Sequence, residues 1–188
     1  YNAIATTIEV AERLGDKAFA DEWRPRLEQI GKAFQATFVK PDGTLFDRTD
    51  GEYRSPKIRA NQVIAAGLKF SPLTREQKKA VVDLATAKLL TPYGLRTLSP
   101  ESEDYHGAVE GDEDERAFCA HQGTAYPWLL SFYADALMAV HKNSCMAQLR
   151  RLADGFEAVV KDHGIGSISE SYNGNPPYKR EGCISMAS

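Results

Sequence analysis

Polar side chains next to aromatic residues occur in four short stretches of the sequence. The set comprises Arg59, Asn61, Gln62, Arg96, His121, Gln122, Trp128, Glu170 and Tyr172. Planar donors and acceptors beside aromatic rings suit a sugar, because hydroxyl groups need paired hydrogen bonds and C–H faces pack on rings. The pattern favours a carbohydrate site. For each polar residue alone, the alternative is that it satisfies loop backbone, and for Trp128 that it belongs to the core.

Glu170 is the carboxylate with the least ordinary surroundings. It lies in a Gly/Ser-rich stretch, 164–172, that contains no Lys or Arg to form a surface ion pair with it. The residues alone leave two interpretations open, a functional carboxylate or an ordinary exposed one.

Other kinds of chemistry find no support in the sequence. Cys119, Cys145 and Cys183 have no neighbouring base, and the patterns GxSxG, HExxH and a Gly-rich phosphate loop are absent. No Cys/His spacing suits a metal. We therefore expect no nucleophilic thiol or serine, no metal and no cofactor.

Composition narrows the partners and the compartment. The formal net charge of −3 over 188 residues argues against nucleic acid, whose phosphates need a basic face. No apolar run approaches the ~20 residues that span a bilayer. Three cysteines without a closely spaced pair fit reduced thiols, which predicts a cytoplasmic protein. A chain that starts on Tyr1 and has no initiator Met is expected to be part of a larger protein.

The apolar pattern repeats about every 60 residues. Buried helices are predicted to start near Tyr1, Asn61, His121 and Cys183. Each of the first three is followed by an amphipathic helix (near 17–38, 76–90 and 144–162) and then by a short extended tail at 44–47, 95–98 or 167–170. The pattern predicts an all-α stack of helical hairpins, either an α/α toroid or an α-solenoid. About three and a half hairpins of a six-hairpin barrel are present. The tails should end near the starts of the buried helices, where the polar residues gather.

An acidic insertion, 99–120, precedes the third buried helix. It contains eight Asp and Glu residues, but not in the order of an EF-hand calcium loop. We interpret it as a solvated acidic loop.

Several motifs in fixed order resemble one known family. They are IRANQ (58–62), LTPYGLRTL (90–98), HQGTAYPW (121–128) and GSISE (166–170), with YNA at the start and GCISMA at 182–187. Together they resemble the C-terminal domain of glycogen debranching enzymes, the amylo-α-1,6-glucosidase domain. The resemblance covers essentially the whole chain. Ala60 and Tyr126, where the family often has Pro and Trp, are mild departures.

The resemblance implies a fold and a reaction. Residues 1–188 would be part of an (α/α)6 barrel that hydrolyses α-1,6-linked glucose at glycogen branch points with inversion, so the partner is glycogen or a branched α-glucan. Glu170 would be the general base. The family's general acid is an Asp in a segment with no counterpart here, so these 188 residues alone are expected to be inactive. The resemblance makes Arg59, Asn61, Gln62, His121, Gln122 and Trp128, together with Arg96 and Tyr172, residues that line the site.

Two alternatives remain open. The chain could be a carbohydrate-binding or scaffold module without catalysis. It could also belong to a related (α/α)6 glycosidase, of trehalase or invertase type, that acts on another sugar. An incomplete barrel further predicts self-association through its open edge, because large exposed apolar patches are usually covered.

Overall fold

The structure of the protein is a computed structural model that describes residues 1–162 and 166–182. The described residues form mainly helices. The α-helices are α1 (Asn2–Leu14), α2 (Lys17–Phe38), α3 (Asn61–Gly67), α4 (Arg75–Lys88), α5 (Glu113–Ala120), α6 (Leu129–His141), α7 (Met146–Asp154) and α8 (Glu157–Asp162), with a 3-10 helix at Lys142–Cys145. The strands are β1 (Thr49–Asp50), β2 (Tyr53–Arg54), β3 (Leu90–Thr91), β4 (Gly94–Arg96), β5 (Ala125–Tyr126), β6 (Ser171–Tyr172) and β7 (Arg180–Glu181).

The first predicted hairpin is present as α1 and α2, which pack together. Gly15 ends α1 in the left-handed conformation, and Asp16 begins α2 by accepting a hydrogen bond from the backbone of Phe19 at 3.1 Å. Proline usually kinks or ends a helix, yet α2 continues through Pro25. This part of α2 is largely exposed, so water can satisfy the carbonyl that proline leaves without a donor.

The second predicted hairpin is α3 and α4. Thr74 and Gln77 form the predicted capping box, in which Oγ1 of Thr74 accepts from the Gln77 backbone at 3.2 Å and Oε1 of Gln77 accepts from the Thr74 backbone at 2.9 Å. Gln35 Nε2 donates to the Pro72 carbonyl at 2.6 Å and links α2 to the segment between α3 and α4.

The core lies where α3, α4 and α6 meet. Val63 and Val81 are fully buried there, and so is Tyr133 of α6. The Tyr133 hydroxyl group is satisfied inside the core by Thr86 at 2.7 Å and by Gln148 at 2.8 Å. Because Val63 of α3 and Tyr133 of α6 belong to the same core, these two helices are held against each other.

The third buried helix starts later than predicted. The sequence pattern placed its start near His121, whereas α6 begins at Leu129 and Ala125–Tyr126 forms strand β5. Tyr126 precedes Pro127, and a residue before proline is driven out of the helical region towards extended backbone. The next predicted helix, 144–162, is interrupted between α7 and α8 at Gly155, a poor helix former.

The acidic insertion is not a loop throughout. Its second half is α5, which Asp112 and Glu115 cap reciprocally at 3.0 and 2.9 Å. The prediction of an acidic loop over 99–120 is therefore wrong for this half. The chemistry is that of the capping box, with Asp in place of Ser or Thr at the cap.

The all-α prediction needs a correction as well. Strands β3, β4, β5, β6 and β7 form an antiparallel sheet in that order, and β1 and β2 form a separate hairpin. Of the predicted tails, 95–98 enters β4, 44–47 makes a single bridge from Leu45 to Val39, and 167–170 ends just before β6. The sheet brings the second and third tails together through β5, which lies between them.

No described helix is long and apolar enough to cross a membrane. The fourth buried helix, predicted to start near Cys183, lies outside the described residues.

Gly67 tests the packing that sets the site. It ends α3 against α6, and a β-carbon there would collide with the carbonyl oxygen of Phe132. We expect Gly67→Ala to lower the free energy of unfolding by about 1–3 kcal/mol through overpacking. Gly155→Ala is the matched control: Gly155 follows α7 with right-handed backbone angles that alanine adopts readily, and the nearest atom to an added β-carbon would be the Leu152 carbonyl oxygen at 3.3 Å.

Urea unfolding of the two variants measures the difference. We expect Gly155→Ala to stay within about 0.5 kcal/mol of the parent protein. Equal stability of the two variants would contradict the close α3–α6 contact.

Candidate functional site

A pocket of about 320 Å³ opens where the start of α3, the segment after α5 and the start of α6 meet. Its volume is at the lower end of the range for small-molecule sites. The lining residues are Arg59, Ala60, Asn61, Ile64, Thr97, His121, Tyr126, Trp128 and Leu129. Four of the nine predicted site residues thus line the same pocket: Arg59, Asn61, His121 and Trp128.

Arg59 connects the chain segments around this pocket. Its Nη2 donates to Oε1 of Gln122 at 2.8 Å, its Nη1 donates to the carbonyl of His121, and its Nε lies 3.2 Å from Oδ2 of Asp47. The side chain is only 16 % exposed, so the pairing with a carboxylate offsets the cost of burying its charge. Gln122 therefore acts on the pocket through Arg59, because it is not among the lining residues.

Asn61 is held from the same side. Its Nδ2 donates to Oδ1 of Asp47 at 2.8 Å. An ionised carboxylate only accepts, so the amide nitrogen must face Asp47. The Oδ1 of Asn61 is consequently directed away from Asp47.

Gln62 lies behind the pocket in the first turn of α3. Its Nε2 donates to the Arg59 carbonyl at 3.3 Å, and the residue is 5 % exposed. Among the described residues its Oε1 has no hydrogen-bond partner. A buried acceptor of this kind is normally satisfied by a water or a ligand.

Trp128 and His121 also line the pocket. Trp128 directly precedes α6, and its ring forms a T-shaped pair with the ring of Phe132, with 6.0 Å between the centroids. Trp128 therefore packs against the core and also lines the pocket. His121 is exposed and follows the last residue of α5. An exposed imidazole at a pocket rim can exchange hydrogen bonds with a ligand.

Arg96 and Tyr172 are not brought to this pocket. Nε of Arg96 donates to the Gly174 carbonyl at 2.7 Å, and its Nη1 donates to the carbonyls of Lys88 and Leu90. The guanidinium therefore holds these backbone segments together. Tyr172 is fully buried and stacks on Tyr93 with 4.7 Å between ring centroids. Both residues have structural contacts that the sequence did not indicate.

Glu170 is not among the residues that line this pocket. The residue is exposed, and its carboxylate packs against Gly182, where a β-carbon would stand 2.6 Å from Oε2. Burial, and then the negative charge of Glu170, raise the pKa of Tyr126. Tyr126 lines the pocket, so the charge of Glu170 acts on one of the lining residues.

The raised pKa of Tyr126 has a simple chemical consequence. The phenol stays protonated through the neutral and moderately alkaline range, so it can donate a hydrogen bond within the pocket. Tyr126 faces Leu95 across the β4–β5 pairing, which fixes its position.

Sequence reasoning missed Asp47, Thr97 and Tyr126 as members of this site. A signal for Asp47 was present: it ends the first extended tail, as Glu170 ends the third. Thr97 lies in the second tail. Tails that lead to the site should deliver a polar residue at their ends, and this rule could have found Asp47.

A larger open cleft lies beneath the acidic segment. It has a volume of about 800 Å³ and is lined by residues that include Tyr105, His106, Asp114, Phe118 and Asn175. None of the residues predicted from the sequence lines it. The polar and aromatic residues expected at a sugar site thus gather at the smaller pocket.

The comparison with known families assigns the chain to a class. Residues 1–188, the whole sequence, match the model of a glycoside hydrolase-related family. That family is described as amylo-alpha-1,6-glucosidase, and the chain belongs to it, as its motifs predicted. No curated protein matches the chain significantly.

Gly182 provides a test of how Glu170 is held. Its φ of 74° is left-handed, and any added side chain would meet the Glu170 carboxylate. We expect Gly182→Ala to displace that carboxylate, as seen in a crystal structure of the variant. Gly166→Ala is the matched control, because Gly166 also has a left-handed φ, 89°, but nothing lies within 4 Å of its β-carbon position.

Both variants should lose about 1–2 kcal/mol of stability from backbone strain, since both introduce a β-carbon at positive φ. Only Gly182→Ala should move Glu170. An unchanged Glu170 carboxylate in Gly182→Ala would contradict the contact.

Proposed function

We propose that this chain provides the general base and the glucose pocket of an inverting α-1,6-glucosidase that acts on glycogen or a related branched α-glucan. One observation carries the proposal. In a member of the amylo-alpha-1,6-glucosidase family, the charge of the exposed Glu170 acts on Tyr126, which lines one pocket together with Arg59, Asn61, His121 and Trp128.

Glu170 has the environment that a general base needs. Its exposure gives water access to the carboxylate, and a general base must be ionised to take a proton from that water. Tyr126, whose raised pKa keeps its phenol protonated, can donate a hydrogen bond to that water. In this proposal the activated water attacks the anomeric carbon of the glucose bound in the pocket.

The pocket has the chemistry to hold one glucosyl unit. Trp128 offers an aromatic surface to C–H groups, while Asn61 and His121 offer polar atoms to hydroxyl groups. Gln122 acts by holding Arg59 in place. Arg96 and Tyr172 contribute by fixing the backbone around β4 and β6.

Inversion requires a second carboxyl group about 6.5–9.5 Å from the base, which protonates the glycosidic oxygen. Following the family resemblance, we propose that an Asp outside this sequence supplies it. The same proposal places the described hairpins in a closed (α/α)6 barrel and the protein in the cytoplasm. The 188 residues by themselves are then expected to release no glucose from a branched glucan.

Glu170→Gln in the full-length protein is the direct test. Loss of the general base should lower turnover on a branched limit dextrin by about 10²–10⁴-fold. The midpoint of thermal unfolding should hardly change, because Glu170 is exposed. Glu52→Gln, an exposed glutamate in the β1–β2 turn, is the control and should keep full turnover.

A second substrate separates the base from the acid. α-Glucosyl fluoride has a leaving group that needs little protonation, so it still requires the base but hardly the acid. Glu170→Gln should therefore be impaired on both substrates. Near-normal turnover on either would remove Glu170 as the base, and glucose binding without hydrolysis by the parent protein would favour a binding module.

His121→Ala tests the pocket. Loss of a neutral hydrogen bond should weaken glucose binding about two- to tenfold, measured by calorimetry on the full-length protein. His141→Ala is the matched control, since His141 ends α6 and lies about 20 Å of helix away from Trp128. Unchanged affinity in His121→Ala would count against the pocket as a glucose site.

A further inference from the structure

Asp47 is a nearly buried carboxylate to which the proposed chemistry assigns no role. Its side chain is 7 % exposed. Carboxylates are rarely buried to this degree unless they are paired, so the position calls for a reason.

The chain around Asp47 is built to hold it at the pocket. Leu45 is buried in the core and bridges to Val39, which anchors the segment on one side. The Asp47 backbone N–H donates to the Ser55 carbonyl at 2.9 Å, which closes the loop that carries β1 and β2. Asp47 is therefore fixed by backbone as well as by its side chain.

Both carboxylate oxygens of Asp47 contact residues that line the pocket. Oδ2 lies 3.2 Å from Nε of Arg59, and Oδ1 accepts from Nδ2 of Asn61 at 2.8 Å. The two contacted side chains both line the pocket. A single carboxylate thus sets the position of two ligand-facing groups.

The charges around Arg59 make Asp47 the decisive partner. Gln122 and the His121 carbonyl accept from Arg59 but carry no charge. Asp104, whose pKa is lowered mainly by Lys57 and to a smaller extent by Arg59, forms its own ion pair with Lys57. Asp47 is the carboxylate in direct contact with the guanidinium.

We propose that Asp47 is a specificity-determining and positioning residue of this pocket, which neutralises Arg59 so that the pocket accepts a neutral sugar and disfavours an anionic one. The inference rests on the proposed function, because it takes the pocket to be the glucose site. An arginine without a carboxylate partner is a strong site for carboxylate or phosphate groups. Asp47 occupies that capacity with a group of the protein itself.

The test compares a neutral with an anionic sugar. Calorimetry on the full-length protein measures the dissociation constants of glucose and of glucuronate, which has a carboxylate in place of the 6-hydroxymethyl group. Asp47→Asn frees the Arg59 charge at nearly constant shape. We expect glucose binding to weaken about tenfold and the preference for glucose over glucuronate to fall by about ten- to a hundredfold.

Two further variants complete the design. Asp50→Asn, the same change on an exposed residue of the same loop, should leave both affinities unchanged. Asp47→Glu keeps the charge and moves the carboxylate by one methylene group. It should weaken glucose binding but keep the preference for the neutral sugar, and it provides the positioning test if Asp47→Asn does not fold.

The outcomes are distinct. If Asp47→Asn changes thermal stability but not the glucose-to-glucuronate ratio, Asp47 is merely structural and the inference is overturned. Wild-type glucose affinity in Asp47→Glu overturns the positioning role. If the unaltered protein binds no glucose, the proposed function itself fails, and this inference fails with it.

Discussion

The contacts of the Arg59 guanidinium join three parts of the chain that are far apart in sequence. The group reaches Asp47 in one direction and the 121–122 segment in another, while its own backbone leads into α3. A planar cation with several fixed N–H directions can do this, whereas a lysine ammonium on a flexible stem lacks that geometry. The pocket exists because these three segments are held in one arrangement.

This arrangement also depends on the short strands. β5 pairs with β4 on one side and β6 on the other, so Tyr126 lies across from Leu95 while Tyr172 lies across from Ala125. The strands are too short to contribute much energy alone. Their effect is geometric, since they set the distance between the segment that carries Glu170 and the wall that contains Tyr126.

Much of the helical framework could be predicted from the sequence. The Thr-x-x-Gln pattern at Thr74–Gln77 is a clear local signal for a capping box, and the structure contains it. Of the apolar stripe that the 3.6-residue period predicts for α1, Ile8 and Ala11 are buried, whereas Leu14 is exposed. Strands of two or three residues are too short to show an alternation of apolar and polar side chains, so periodicity could not reveal them. α6 starts late because Tyr126 precedes Pro127. This local signal was present in the sequence, but the apolar pattern around it favoured an earlier start of the helix.

The candidate site was predictable where residue type alone carries meaning. Arg59, Asn61, His121 and Trp128 do meet in one pocket, and the chemistry of their side chains had suggested a common site. Arg96 and Tyr172 have the same residue types but contact backbone and rings instead. Such contacts join residues that are distant in sequence, so no local pattern distinguishes a ligand-facing arginine from one that fastens carbonyl groups.

The anchoring of α5 has a consequence for divergence among members of the family. Its C-terminal end is fixed, because the Cys119 carbonyl accepts from both the backbone and the hydroxyl group of Thr124, and Cys119 itself is buried. Its N-terminal half is exposed, and Arg116 contributes only a partly exposed ion pair to Glu181. Length and charge can therefore drift at the acidic end of this helix over evolutionary time, while the end next to His121 is constrained by the geometry of the pocket.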